Sequence, residues 1–427
     1  MTRYIQTFQD FISKEALSGI LLFVATLLAV AVANSPLSPL YFELWQMPMG
    51  LNFGTIDISM SLTYWIDDGL MALFFLMVGL EIKREMLIGE LSSVQKAAFP
   101  VVAAVGGMLL PALIYVLLNP ANPLGFGIPM ATDIAFALGI LMLLGSRVNP
   151  ALKLFLVALA VVDDLGAVLV VATVYTNEIH AAYFLHAGLV YALIWILNLK
   201  GVKSLWPYLI LGVALWVYIH AIGIHATVAG VLLALAIPIG SKIEERDFIA
   251  NSKKAIDEFE KHVDAIPILN HHQIDALENI AHGYDRVQNP LVRLEHNLHG
   301  FSAFFIMPLF AFSNAGVIID PSTVSSHFMV VLGVVLGLVV GKPLGIFGFT
   351  WLMTKTGIVK KPENLTWYEI GAVGFLGGIG FTMSIFITHL AFADQTMIDA
   401  VKLGVFTASF LAALIGVLLL KRVGARE

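Results

Sequence analysis

Four ionisable side chains stand inside stretches that are otherwise apolar: Asp133, Asp163, Asp164 and Lys342. In lipid-like surroundings such a group is costly unless it is paired or hydrated, so its default reading is functional. Three acids and one base cannot neutralise one another. At least one carboxylate is left to take up a proton or a cation. Buried ion pairs that merely hold helices together would need only matched charges. Adjacent Asp163 and Asp164 point about 100° apart on a helix. One can meet Lys342 while the other faces a cavity, and the residues alone leave open which does which. A hard cation prefers oxygen ligands. The carboxylates of Asp163 and Asp164, the Thr132 hydroxyl and carbonyls freed by a broken helix would supply them.

The elements that must carry these groups are membrane spans. The chain has 427 residues, 59% hydrophobic and only 13% charged, with a mean hydropathy of +0.87. Soluble domains carry about 25% charged residues, so lipid is the solvent this composition needs. There is no cysteine, which excludes disulfides, thiolate metal sites and thiol nucleophiles. The net charge of −6 says little about partners. Residues 17–33 follow Lys14 and resemble a signal segment, but their length and the many later spans favour an uncleaved first helix.

At about 20 apolar residues per crossing, twelve spans are expected, near 14–34, 62–82, 97–118, 123–145, 151–176, 180–199, 204–220, 223–240, 298–317, 327–354, 368–391 and 396–420. With the termini on one side, 22 of the 24 Lys and Arg residues fall on that side, Arg147, Lys242 and Arg426 among them, and none in the opposite loops. Lys342 and Lys402 fall within spans. Positive charge stays cytoplasmic, so both termini are expected inside. The fold class is all-α and polytopic, one transmembrane transporter domain over 1–427. The outer loop 35–61 fits a β-hairpin around Gly54. The inner loop 241–297 is hydrophilic. Ile249, Ile256, Phe259 and Val263, then Ile274, Leu277, Ala281 and Tyr284, recur at helical spacing. Two amphipathic helices against the cytoplasmic face are expected.

Two spans are poor helices. Gly125, Gly127 and Pro129 interrupt the fourth, so 129–133 should be partly unwound. Gly371, Gly374, Gly377, Gly378 and Gly380 interrupt the eleventh. Irregular backbone at membrane depth survives only where it lines a cavity or packs in protein. Each irregular span is second in a trio, 97–176 and 327–420, which points to inverted repeats with the site between them.

Met130 to Ala137 (Met-Ala-Thr-Asp-Ile-Ala-Phe-Ala) and Ala158 to Ala167 (Ala-Leu-Ala-Val-Val-Asp-Asp-Leu-Gly-Ala) strongly resemble the NhaA-type sodium/proton antiporters. So do Phe74 to Glu85, Pro308 to Gly316, Gly341 to Gly345 and Gly377 to Ser384. The resemblance covers nearly the whole chain. It implies that the broken fourth and eleventh helices cross. It implies Asp163 and Asp164 as the ion- and proton-binding pair, Asp133 as the charge balancing the helix ends, and Lys342 as the partner of Asp163, with a part in proton exchange. It implies pH sensing through Glu81, Glu85, Arg293, Glu295, His296 and His299, with His225 at a further pH-responsive position. A bacterial inner-membrane location and a homodimer, paired through the outer hairpin, follow from the same resemblance.

The expected activity is therefore exchange of sodium, with lithium as an alternative cation, for protons by alternating access, serving pH and sodium homeostasis. Two protons per sodium would make it electrogenic. No cofactor, nucleic-acid partner or enzyme chemistry is expected; lipid, sodium and protons are the partners. An intramembrane aspartyl protease would want a Gly-x-Gly-Asp setting, where this chain has Val161-Val162-Asp163. A sodium-coupled symporter could share the broken helices but would show solute-dependent uptake. The loop at 243–290 departs from compact members of the family and carries His262, His271, His272 and His282. Histidine titrates near neutrality, yet a solvated helical insert is the simpler reading. The spacing matches no strong metal pattern.

Overall fold

The computed structural model describes residues 2–53, 56–145, 148–176, 179–241, 243–262 and 269–423. Gly54, Arg147, Lys242, Val263 and Arg426, which entered the expectations above, lie outside them. Helices α1 (Thr2–Ala33) and α2 (Ser38–Gln46) precede strands β1 (Pro48–Phe53) and β2 (Ile56–Ser61). The strands pair antiparallel with Pro48 opposite Ser61. Trp65 ties the hairpin down by donating its indole N–H to the Met49 carbonyl at 2.8 Å.

Then come α3 (Leu62–Tyr64), a π-helical stretch at Trp65–Leu70, α4 (Met71–Ile88) and α5 (Val94–Leu118). A 3-10 segment, Pro123–Met130, leads to α6 (Ile134–Leu143), followed by α7 (Pro150–Val174), α8 (Ala182–Leu199), α9 (Leu205–Ile222) and α10 (Thr227–Ala236). The insert folds as α11 (Glu245–Lys261) and α12 (His271–Val287). The rest comprises α13 (Pro290–Phe301), α14 (Met307–Asn314), α15 (Pro321–Ser326), α16 (Phe328–Leu336), α17 (Lys342–Lys355), α18 (Trp367–Gly377), α19 (Phe381–Ala391) and α20 (Gln395–Val423). Further π-helical stretches stand at Ser302–Ile306 and Gly337–Gly341.

Among the described residues, eight helices are long and apolar enough to cross a membrane. The pair α18 and α19, bent by 48° at its break, makes a ninth if counted as one span. The other expected spans are helical but unlike these. α4 carries Glu81, Lys83, Arg84 and Glu85, and α10 has only ten residues. The stretch expected at 298–317 is broken by a π segment. Helices α11 and α12 pack on each other through buried Ala255 and Ala276. The apolar positions expected to lie against the bundle do not: Ile249, Ile256, Ile274, Leu277 and Tyr284 are exposed, and polar Gln273 is buried instead.

The bundle has a hairpin end and an insert end. α4 and α10 run side by side from the first to the second, with Ala72 against Gly230 and Lys83 bonded to the Leu235 and Ile237 carbonyls. α5 and α17 touch backbone to backbone. A Cβ on Gly106 would lie 2.3 Å from the Gly345 carbonyl, and one on Gly345 would lie 2.1 Å from that of Gly106. Only glycine allows this approach. It sets Lys342, one turn before Gly345, against the middle of the bundle.

Candidate ion-binding site at two broken helices

Prolines 123 and 129 with Gly125 and Gly127 keep the segment before Asp133 out of the α-helix, and it winds as 3-10 helix instead. Residues 131–133 are not helical, and α6 starts at Ile134. α18 stops at Gly377 and α19 starts at Phe381. The two breaks meet: the Asp133 N–H donates to the Ile379 carbonyl at 2.7 Å, and the Ser384 hydroxyl to the Ile128 carbonyl at 2.7 Å. Phe381 adopts a φ of +23°, a strained value for an aromatic residue that persists only when its surroundings impose it. Its N–H donates to the Ser409 hydroxyl at 3.1 Å.

Asp133 caps both half-helices. Its Oδ1 accepts from the Phe136 N–H of α6 at 3.0 Å, and its Oδ2 from the Thr382 N–H of α19 at 3.1 Å and from the Thr382 hydroxyl. Two positive helix ends thus converge on one carboxylate, as a buried negative charge requires. At the opposite polarity, Lys342 donates to the Met130 carbonyl at the end of the 3-10 segment, a negative helix end.

Asp163 and Asp164 sit on α7, 3% and 2% exposed. Asp163 is engaged on one oxygen. Its Oδ2 lies 2.6 Å from the Lys342 ammonium and 2.5 Å from the Thr132 hydroxyl. That hydroxyl is also 2.8 Å from the Gly377 carbonyl and, having one hydrogen, donates to one of them at a time. Asp163 Oδ1 is buried with no hydrogen-bond partner among the described residues. Asp164 makes no hydrogen bond among them either, and it lines a cavity of about 650 Å³. The choice left open by the residues is settled here: Asp163 meets Lys342 and Asp164 faces the cavity.

The cavity runs from Thr132, Asp133 and Asp164 past Glu81 toward Arg84, Glu295, His296 and His299 at the insert end. Arg84 bridges Glu295 at 2.8 Å and Glu85 at 2.7 Å. Glu81, Glu85, Glu295, His296 and His299 are thus gathered around one mouth. Arg293 lies apart, in a smaller cavity with Lys203 and Gln288. His225 is at the hairpin end instead, 3.0 Å from Asp68. Of the insert histidines, His262 and His272 stack with ring centroids 4.5 Å apart. The residues alone did not single out Arg84 or Thr382. A lone arginine among three glutamates, and a hydroxyl just after a glycine break, were the available signals.

A family model described as Na+/H+ antiporter 1 matches residues 9–420. Among curated relatives, the Na(+)/H(+) antiporter NhaA 1 of Aliarcobacter butzleri is 64% identical over 98% of this chain and 97% of its own. NhaA 2 of the same organism is 61% identical over 96% of each chain. The NhaA antiporter of Wolinella succinogenes is 50% identical over 95% of this chain and 91% of its own. The solved structure of the sodium proton antiporter MjNhaP1 from Methanocaldococcus jannaschii pairs with the fold at a TM-score of 0.44 and 15% identity, covering 96% of this chain and 99% of that one, too loosely to assign any element. The match of family and relatives along nearly the full length makes this membrane protein a member of the Na+/H+ antiporter 1 family.

Proposed function

We propose that the chain exchanges sodium for protons across a membrane by alternating access, with Asp163 and Asp164 as the exchanging pair. The observation that carries this reading is the asymmetry of two adjacent carboxylates. Asp163 is held by Lys342 and Thr132, while Asp164 has no hydrogen bond among the described residues and faces the cavity. Asp164, the open Oδ1 of Asp163 and the Thr132 hydroxyl offer oxygen ligands to a hard cation. A sodium ion beside Asp163 competes electrostatically with the Lys342 ammonium. Sodium arrival and proton departure are therefore coupled through one small volume. Lithium meets the same ligands.

Asp133 neutralises converging helix ends rather than touching the ion, because its oxygens are engaged by Phe136 and Thr382. Twelve spans, two inverted trios and crossed fourth and eleventh helices complete the reading. The lysine and arginine asymmetry orients the insert end and both termini toward the cytoplasm of a bacterial inner membrane. The Arg84–Glu295 mouth is then cytoplasmic, where Glu81, Glu85, His296 and His299 can sense pH, with His225 responding from the other face. Two protons leaving per sodium makes exchange electrogenic. A homodimer forms through the outer hairpin.

Everted membrane vesicles holding a pH gradient test this: sodium should collapse the gradient, and Asp163→Asn or Asp164→Asn should abolish the collapse. If both variants respond like the wild type, the site assignment is wrong.

A further inference from the structure

Lys402 is the second lysine placed within a span, and the exchange site does not use it. It is 3% exposed on α20. Among the described residues its ammonium makes no hydrogen bond or close ion pair, although Asp67 and Asp399 lie within Coulombic reach. A buried lysine in that state needs an explanation.

Asp67 stands at the hairpin end, on the π-helical stretch before α4. Such stretches re-aim side chains and recur at functional positions. Its Oδ1 accepts from the Asn314 amide at 2.7 Å, and its Oδ2 lies 3.8 Å from His389 Nδ1. Asn314 is 1% exposed, and its Oδ1 has no partner among the described residues. His389 Nε2 is buried and likewise without one. The two side chains that contact this carboxylate thus each carry an orphaned polar atom among the described residues, and an ammonium without a close partner among them lies within Coulombic reach. Buried polar atoms are ordinarily satisfied, so this group is built to hold something else that hydrogen-bonds.

The neighbourhood is rich in titratable groups. From the same stretch, Asp68 faces His225 at 3.0 Å and His220 at 3.7 Å, and Tyr64 reaches His220 at 3.0 Å. From α20, Asp399 accepts from Gln395 at 2.9 Å. Asp68 is thus occupied by two histidines, and Asp67 is the carboxylate left with loose partners. Its side chain is 19% exposed and that of His389 26%, against 1% each for Asp163 and Lys342. Asp67 and His389 are therefore partly exposed at the hairpin end, whereas Asp163 and Lys342 are buried.

The cluster also shares its helix with the centre. His389 is seven residues along α19 from Thr382, about 10 Å at 1.5 Å per residue. Between them Ser384 and Thr388 are fully buried.

Resting on the exchange reading above, we infer that Asp67, with Asn314, His389 and Lys402 around it, is a second proton-binding site, through which the protein exchanges protons with the solution at the hairpin face. The Asp67 carboxylate takes a proton from water there and returns it. Lys402 opposes protonation by its charge. Asn314 and His389 hold the water that carries the proton.

The test uses full-length protein in right-side-out vesicles, which expose the hairpin face, and in everted vesicles, which expose the insert face. The initial rate of sodium-driven proton movement is followed as pH is varied on the exposed side only. Asp67→Asn should flatten the profile at the hairpin face and leave both the insert-face profile and the sodium KM unchanged. Lys402→Gln, which removes a neighbouring positive charge, should move the hairpin-face midpoint upward. Asp67→Glu should keep the wild-type form. Hairpin-face profiles of Asp67→Asn and Lys402→Gln that superimpose on the wild type overturn the outer site. So do equal changes at both faces with an altered sodium KM, which would place the effect at the centre. Wild-type vesicles without sodium-driven proton movement overturn the exchange reading instead.

Discussion

The centre of the bundle and its hairpin end both set a lysine near an aspartate, and they do so differently. At the centre, Lys342 and Asp163 are 2.6 Å apart and 1% exposed. At the hairpin end, Lys402 has no close partner among the described residues, and Asp67 is held by an amide with a histidine at 3.8 Å. A dry, contacting pair holds its charges fixed until a cation breaks it, whereas a loose and partly wetted cluster changes charge with the solution beside it. The first arrangement suits selective exchange, the second communication with bulk protons.

The largest expected effect lies at the centre. Asp163→Asn strands a buried ammonium, which costs about 3–5 kcal/mol, and should lower exchange by about a hundredfold or more. Asp67→Asn strands a lysine that already lacks a close partner, so its unfolding temperature in detergent should fall much less. Equal losses would erase the distinction between the two regions. Adding Lys342→Met to Asp163→Asn should recover most of the stability without recovering exchange.

Next comes Asp133→Ala, which uncaps two half-helices at about 1 kcal/mol each. Thermal unfolding should register about 2 kcal/mol, with exchange weakened. A variant with wild-type stability would show that Asp133 does not hold the breaks together. Gly106→Ala should cost about 1–3 kcal/mol by overpacking α5 against α17, and by displacing Lys342 it should slow exchange while leaving the hairpin-face pH midpoint in place.

The smallest effect supplies the control, an acid at the hairpin end but outside the bundle. Asp320 caps α15; hydrogen bonds from the Ser322 hydroxyl and N–H hold its carboxyl below the usual range. A carboxylate so lowered supports its helix above the ordinary carboxylate range and loses that support as pH falls through its own lower value. Asp320→Asn should therefore alter neither face's exchange profile. In the wild type, protection of α15 amides from hydrogen exchange, corrected for intrinsic rate, should fall only in acid.

Much of the centre was legible from the residues. Charges in apolar stretches and glycine or proline breaks are local features, and local features survive in a string. The division of labour between Asp163 and Asp164 was not, because a 100° turn tells only that they differ. Arg84 and Thr382 escaped notice because each gains its importance from a partner more than 200 residues away, Glu295 for one and Asp133 for the other. His225 was grouped with the other pH candidates by resemblance, yet it lies with Asp68 at the opposite end.

By itself the amino-acid string determined the solvent, the helical elements, the positions where helices must break and the surplus of buried acid, since each follows from composition, period or backbone restriction within a short window. Tertiary structure alone decided which carboxylate Lys342 holds, which helix ends Asp133 caps and that Lys402 comes to stand near Asp67. Those outcomes depend on how distant helices pack, and packing is set by close approaches such as Gly106 on Gly345 that no local pattern contains.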